Sequence, residues 1–378
     1  MQRLRCRAPR WTVCGRSPWP CRQFASKAVL ASIAQRASLL SQAGGRAELQ
    51  KRRDEVEALH EEVVKIKPDV LVAGLELRDL CRLCHVLAGS LMPPEAGVFK
   101  LAGEKLQTQA LSGDSADAAA HFALAACEAG QGREEVGEAI VEVPEGTGHR
   151  VTHGPDACRA QDVLGAEYEI TRLGGAAASA LALAAAAVGR AKAPLVEALV
   201  KRCAAREMEL TVPALGDLRL MAALAGPGVI DNIDGSALSF LRLMCNEVLL
   251  DDPRGAPPPM LKCEDFLSSM EHDISQVLDA CELPHSQGTI VGGAFFPLSS
   301  DAMKAVFSAE DPDAGATYFR RTKLSAFQSW KYRAAVAAGW RVYAIRAPDW
   351  QRLEDLEQKV PFVKEMLQGP PVDVEALD

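Results

Sequence analysis

Apolar residues recur at helical spacing through most of the chain. In the charge-dense residues 48–66, Val56, Leu59, Val63 and Ile66 fall on one face of an amphipathic helix. Four later segments share an ending: LRDLCRLCHVLAG closes at Gly89, AAHFALAACEAG at Gly130, ASALALAAAAVG at Gly189 and GDLRLMAALAG at Gly226. In each, a Leu stands six residues before the Gly (Leu83, Leu124, Leu183, Leu220). Glycine ends helices because it accepts the left-handed conformation at little cost. The glycines are 41, 59 and 37 residues apart. Two of these intervals suit a helix-hairpin repeat, and the long one holds a Pro-, Gly- and charge-rich stretch, Glu134–Asp162, that reads as an insertion. Chance resemblance among Ala- and Leu-rich helices is the alternative. Ala237–Leu250 continues the helical pattern, and DDPRGAPPP at Asp251–Pro259 breaks it. Lys262–Cys281 resumes it through Phe266, Met270, Ile274, Val277 and Leu278.

The period changes after LPHSQG, Leu283–Gly288. Thr289–Phe296 (TIVGGAFF) reads as one short strand, Ala316–Ala338 as a helix stopped by Gly339, and Trp340–Ile345 as a strand. In that strand Trp340, Val342 and Ala344 face one way, and Arg341, Tyr343 and Ile345 the other. Asp349 can cap a last helix running to about Leu367. The expectation is a mainly α protein with an α-solenoid-like repeat body over 48–250, a linker and helix over 251–285, a small α/β domain of β–α–β–α order over 286–368, and a loose tail over 369–378.

Composition and charge sharpen this picture. Aromatics are only 5% of residues and Ala is abundant, which favours closely packed helices over β-rich architecture. Residues 1–47 hold nine Arg or Lys and no Asp or Glu, with Ser, Ala and Leu between them and no long apolar core. This is the pattern of a mitochondrial transit peptide; a basic arm that stays on the protein and binds nucleic acid is the other reading. The full chain carries 42 basic and 50 acidic residues, a formal −8; without the first 47 residues, 33 basic residues face the same 50 acids, a formal −17. Such a body repels a polyanion except where cations are concentrated. Leu173–Gly189 is uncharged but too rich in Ala and Gly for a membrane span.

Cations are concentrated in Thr317–Arg352. Its basic residues are Arg320, Arg321, Lys323, Lys331, Arg333, Arg341, Arg346 and Arg352, and its one acid is Asp349. It also holds eight of the chain's twenty aromatics. Basic groups neutralise phosphates, and aromatic or guanidinium planes stack on unpaired bases. On a continuous helix Arg320 and Lys331, eleven apart, share a stripe. Core packing is the competing explanation for Phe319, Phe327, Trp330 and Trp340.

The run RRTKLSAFQSWKYRAAVAAGWRVYAIRAPDW, Arg320–Trp350, resembles the C-terminal half of a RAP domain. The likeness lies in Thr322-Lys323, in Lys331 and Arg333 on a helix, in Gly339-Trp340-Arg341-Val342 leading a strand, and in Trp350 before a closing helix with Leu353, Leu356, Val360, Phe362 and Leu367. It implies a restriction-endonuclease-like fold following octotricopeptide- or heptatricopeptide-like helices, and action on organellar RNA. The expected RNA contacts are Arg320, Arg321, Lys323, Lys331, Arg333, Arg341 and Trp350. The family's first strand usually ends in an acid followed by Gly-Pro; here Gly292, Gly293 and Ala294 follow instead, without a carboxylate. A metal-dependent nuclease needs carboxylates at the scissile phosphate, so a non-catalytic role is expected. Glu357-Gln358-Lys359 has acid-x-Lys spacing but reads as surface charge on the last helix.

Cys81-Arg82-Leu83-Cys84-His85 matches the haem-attachment pattern, yet it sits mid-helix and reads as core thiols beside a polar-edge His. No second Cys pair has zinc spacing. Pro144–Pro155 holds two His but lacks the Lys and Ser/Thr of a phosphate-binding loop. The expectation is therefore a mitochondrial-matrix protein without cofactor or bound metal. It binds organellar mRNA or rRNA in RNA processing, stability or the mitochondrial ribosome, meets protein partners through its helical body, and has no membrane contact. The alternatives are a RAP-type endonuclease and a structural subunit of a mitochondrial assembly that makes no RNA contact.

Overall fold

The computed structural model describes residues 25–42, 49, 52–108, 113–130, 170–246, 267–310 and 324–377. Its N-terminal part is helical: α1 (Lys27–Ser41), α2 (Arg53–Val63), α3 (Pro68–Gly74), α4 (Leu77–Gly89), α5 (Ala96–Thr108), α6 (Gly113–Glu128), α7 (Gly175–Ala187), α8 (Ala193–Ala205), α9 (Val212–Ala225), α10 (Pro227–Ile230) and α11 (Gly235–Asn246). The four segments with the shared ending are α4, α6, α7 and α9, and they pack side by side in that order. Other helices back them: α1 lies on α4, α2 on α1 and α4, α5 on α3 and α4, α8 on α7, and α11 on both α8 and α9. Gly130, Gly189 and Gly226 take positive φ of 74°, 70° and 75°. The first member differs. Gly89 stays helical and the left-handed residue is Leu91 (φ 62°), with the Met92 N–H donating to Leu87 O at 2.9 Å.

α7 shows why the centre of this row is made of alanine. Twelve of its thirteen residues are buried, because helices cover it on three sides. A helix buried all round needs no polar face, and Ala side chains let its neighbours approach closely. No helix among the described residues is long and apolar enough to cross a membrane. Glu134–Asp162 and Asp251–Pro259, read above as a loop and a break, lie outside the described residues.

The C-terminal unit is built as α12 (Ser269–Ala280), β1 (Ser286–Val291), β2 (Ala294–Ser300), β3 (Ala305–Glu310), α13 (Ala326–Ala337), β4 (Arg341–Arg346), α14 (Ala347–Trp350) and α15 (Leu356–Gln368). The sheet order is β1-β2-β3-β4. The first two neighbouring pairs are antiparallel, and β3–β4 is parallel, joined through α13. Both faces of the sheet are covered. On one, Val306 and Val342 share a core with Trp330 and Tyr332 of α13 and with Leu218, Leu220 and Met221 of α9. On the other, Phe307, Tyr343 and Ile345 pack with Ile274, Val277 and Leu278 of α12 and with Val363 of α15. The alternation read in Trp340–Ile345 therefore sends each face of β4 into a different core.

The structure corrects several expectations. TIVGGAFF is two strands, not one: Gly292 (φ 56°) and Gly293 (φ 76°) form the two-residue turn of a β1–β2 hairpin. Both central residues of such a turn need positive φ. β3, over Ala305–Glu310, was not anticipated, so the β–α–β–α order lacked two strands and a leading helix. That helix, α12, belongs to the α/β unit rather than to a linker, since it packs on β2, β3 and α15. The tail is not loose: the Val372 N–H donates to Val342 O at 2.9 Å, and Val372, Val374 and Leu377 pack against the shared core. Finally, residues 27–41 are a folded helix. α1 buries Leu30, Ile33, Ala37 and Leu40, which separates it from the rest of the basic N-terminus.

Candidate nucleic-acid interface

The helix carrying Lys331 and Arg333 begins at Ala326. Ser325 is its extended N-cap (φ −71°, ψ 146°), and its Oγ accepts from the Gln328 N–H. The stripe joining Arg320 to Lys331 required one unbroken helix, so the structure removes it. Arg320, Arg321 and Lys323 lie outside the described residues. Their flanks are described: Glu310 ends β3, and Leu324 and Ser325 precede α13. A 2.9 Å hydrogen bond from Gln328 Nε2 to Ser308 Oγ holds the first turn of α13 over β3.

Lys331 is half-buried and points inward. Its Nζ lies 5.0 Å from the centroid of the Phe296 ring. Burial pulls its ammonium down to about 8, and the neighbouring Glu271 only partly restores it. Trp350 is 3% exposed, and its indole N–H donates to Asp273 Oδ2 at 2.8 Å. Lys359 Nζ meets the same oxygen at 2.5 Å and lies 5.2 Å from the Trp350 ring centroid. Neither Lys331 nor Trp350 presents the surface that an RNA contact requires. Lys359 is likewise no surface charge, since it ties α15 to α12; Glu357 is exposed. Arg333 is half-buried on α13, with its Nε enclosed.

Four exposed cations, Lys304, Arg341, Arg346 and Arg352, fall at or near the two ends of the parallel β3–β4 pair. At the start, Ala305 pairs with Arg341, whose N–H donates to Lys304 O at 2.7 Å. The Lys304 side chain is 62% exposed; its Nζ stands 4.8 Å from the Trp340 ring centroid and 3.3 Å from Asp301. At the finish, Glu310 pairs with exposed Arg346. Burial raises the Glu310 carboxyl, and Arg346 counteracts this. Exposed Arg352 lies on the chain just past α14, 3.4 Å from Asp349. A six-residue strand separates the two ends by roughly 16 Å, more than the Debye length of about 8 Å at physiological salt. They act as two separate cationic points.

Among the described residues, carboxylates do not gather into a metal set. Glu271 of α12 accepts from the Ser268 N–H in a capping box. Glu310 and Glu271 both act on the Tyr332 phenol, whose burial raises its pKa. Among the described residues no three His, Cys, Asp or Glu side chains are placed to hold a metal ion. Cys81 and Cys84 of the haem-attachment pattern are fully buried in α4; burial pushes Cys81 up to about 12, and Cys84 well above a free thiol.

Sequence reasoning missed Lys304, because it lies in the unrecognised β2–β3 connection. It counted Trp350 as a contact, because an aromatic between cations looks the same in sequence whether it stacks on a base or fills a core. No family model and no curated protein matches this chain.

Proposed function

We propose that the protein binds single-stranded organellar RNA through the C-terminal end of its β3–β4 pair. The supporting observation is positional. Arg346 stands at that end with Arg352 shortly after it, and Arg320, Arg321 and Lys323 fall in sequence between the end of β3 and the start of α13. The C-terminal ends of parallel strands are where open α/β sheets meet their ligands. A chain of formal charge −17 beyond residue 47 attracts RNA only where its cations are local. The basic N-terminus supports a mitochondrial location, and the likeness of Arg320–Trp350 to RAP domains supports RNA as the ligand. The acidic helical body suits protein contacts.

Fluorescence anisotropy of the full chain with a mixed-sequence single-stranded RNA, at several salt concentrations, tests this reading. Each phosphate neutralised on a single strand adds about 0.7 to the salt slope. Reversal at Arg346 and Arg352 together should weaken binding and flatten the slope by about 1.4. Reversal at Arg341 and Lys304, at the other end, should do less. Unchanged affinity in the Arg346/Arg352 reversal, with normal folding, would remove this end of the sheet from the interface.

A further inference from the structure

β4 is the last strand of the sheet, so its outer edge faces no other strand. The Arg341 N–H donates inward, to Lys304 O. Successive strand residues turn their backbone groups to opposite sides. Arg341, Tyr343 and Ile345 therefore bond to β3, and Val342, Ala344 and Arg346 turn theirs outward. The segment after α15 takes one outward group, as the Val372 N–H donates to Val342 O at 2.9 Å. The Val342 N–H, both backbone groups of Ala344 and the Arg346 N–H take no backbone partner among the described residues. We propose that this edge is a docking surface for an extended acidic segment of a protein partner, which adds to the sheet as a further strand beside β4.

The chain's own tail shows the mode at one position. Val372 bonds to β4, and half-buried Val372 and Val374 alternate with exposed Asp373. The tail then turns away. Asp373 Oδ1 accepts from the Glu375 N–H at 3.0 Å, and Glu375–Leu377 wind into a 3-10 turn. The pairing stops at Val342, and a partner strand would replace that bond and continue past Ala344, whose small side chain is only half-buried.

Charge selects the partner. Arg341 and Arg346 are exposed at the two ends of β4, whereas Glu310 beside Arg346 is half-buried. Carboxylates at alternate positions of an added strand meet these cations, and a basic strand is repelled. Backbone chemistry favours a peptide over a nucleic acid. A phosphate oxygen accepts from an N–H but has no donor for Ala344 O, whereas a strand supplies both groups in alternation. The surface shares Arg346 with the proposed RNA contact and does not depend on it.

The probe is a short fluorescein-labelled peptide of alternating valine and glutamate, titrated into the full chain without RNA. The valine–lysine counterpart is the control. The acidic peptide should bind and the basic one should not. Hydrogen-exchange mass spectrometry of the complex should show slowed exchange over Arg341–Arg346. Ala344→Pro removes an outward N–H and no inward bond, and should weaken binding several-fold. Arg341→Glu with Arg346→Glu should weaken it by about tenfold or more, because each reversal turns an attraction into a repulsion. Val372→Pro frees Val342 O and should strengthen it. Should Ala344→Pro fold poorly by circular dichroism, exchange protection in the parent chain and the arginine reversal decide. No binding of the acidic peptide, equal binding of the basic one, protection confined to other segments, or parent-like affinity in a folded Ala344→Pro chain overturns the proposal. Protection of β4 by single-stranded RNA but not by the peptide also overturns it, and assigns the edge to the nucleic-acid interface.

Discussion

At the scale of single residues, burial decides which charged groups are free to act. Lys331 illustrates this, because its ammonium is held against Phe296 with a pKa lowered from 10.5 to about 8. Below pH 8 the folded and unfolded chains both carry the proton, and the full desolvation cost is present. Between pH 8 and 10.5 the unfolded chain keeps a proton that the folded chain has released, so stability rises with pH. Lys331→Met should therefore raise the melting temperature at pH 7, by a stabilisation of at most about 3 kcal/mol. It should flatten the rise in stability between pH 8 and 10.5, and leave RNA affinity unchanged. Melting curves across that range check the first two, and a loss of RNA binding would return Lys331 to the interface. Asp273 works in the opposite sense, because it holds both the Trp350 indole and the Lys359 ammonium. Asp273→Ala leaves Lys359, whose side chain is 14% exposed, without its counter-charge. The expected loss is about 2–4 kcal/mol in denaturant unfolding; a loss below 1 kcal/mol would mean that Lys359 reaches water unaided. Thiol accessibility follows the same logic. Cys81, Cys84, Cys127 and Cys203 are buried, and Cys281 is half-buried. In the native chain a thiol reagent followed by peptide mapping should label Cys281 well before those four.

At the scale of elements, what was legible had a local cause. The helix-ending glycines were readable because left-handed φ is a local demand, and three of the four adopt it. The two faces of β4 were readable because pleating alternates side chains strictly. The hairpin was misread although its signal was present, since Gly-Gly between apolar runs is a two-residue turn. The N-cap was likewise present in Ser325-x-x-Gln328, a capping-box pattern that starts the helix at Ala326. β3 carried no such mark, because AVFSAE is a short run buried almost throughout, and periodicity alone does not separate that from a helix. Trp350 and Lys331 could not be assigned locally, since their partners Asp273 and Phe296 lie far off in sequence. The Gly292–Gly293 turn also docks the sheet. A Cβ at Gly292 would stand 2.2 Å from Ala334 O of α13, and one at Gly293 would stand 2.6 Å from Arg219 O of α9. Strained φ and backbone overlap act together there, so Gly292→Ala should destabilise the chain by about 2 kcal/mol or more. The matched control is Gly189→Ala, where φ is positive but no atom lies within 4 Å, and about 1 kcal/mol is expected. Equal losses in urea unfolding would show that the turn bears no docking contact.

At the scale of the whole molecule, a single question joins the proposed import signal to stability: where such a signal would have to end for the fold to remain intact. The acid-free stretch runs to residue 47, but α1 occupies Lys27–Ser41 within it. Leu30, Ile33, Ala37 and Leu40 share a core with Leu80, Leu83, Cys84 and Leu87 of α4. The fit is close enough that a Cβ at Gly74 of α3 would meet Leu30 Cδ1 at 2.4 Å. Fully burying a Leu or Ile side chain contributes about 1.5–3 kcal/mol, and ordering the helix offsets part of this. Removing α1 would also leave the α4 face open to water, an exposed apolar patch of the kind that promotes aggregation. A processing event that cut near residue 40 would thus produce an unstable mature protein, whereas one ending near Phe24 would leave every described contact of α1 intact. We expect import into isolated mitochondria to yield a mature N-terminus ahead of Ser26, the residue whose side chain caps α1 by accepting from the Val29 N–H. A chain starting at Ala25 should melt as the full chain does, while one starting at residue 43 should melt markedly lower or aggregate. A mature terminus inside α1, or a residue-43 chain as stable as the longer one, would show that α1 contributes nothing to the folded body and that the whole basic segment is signal.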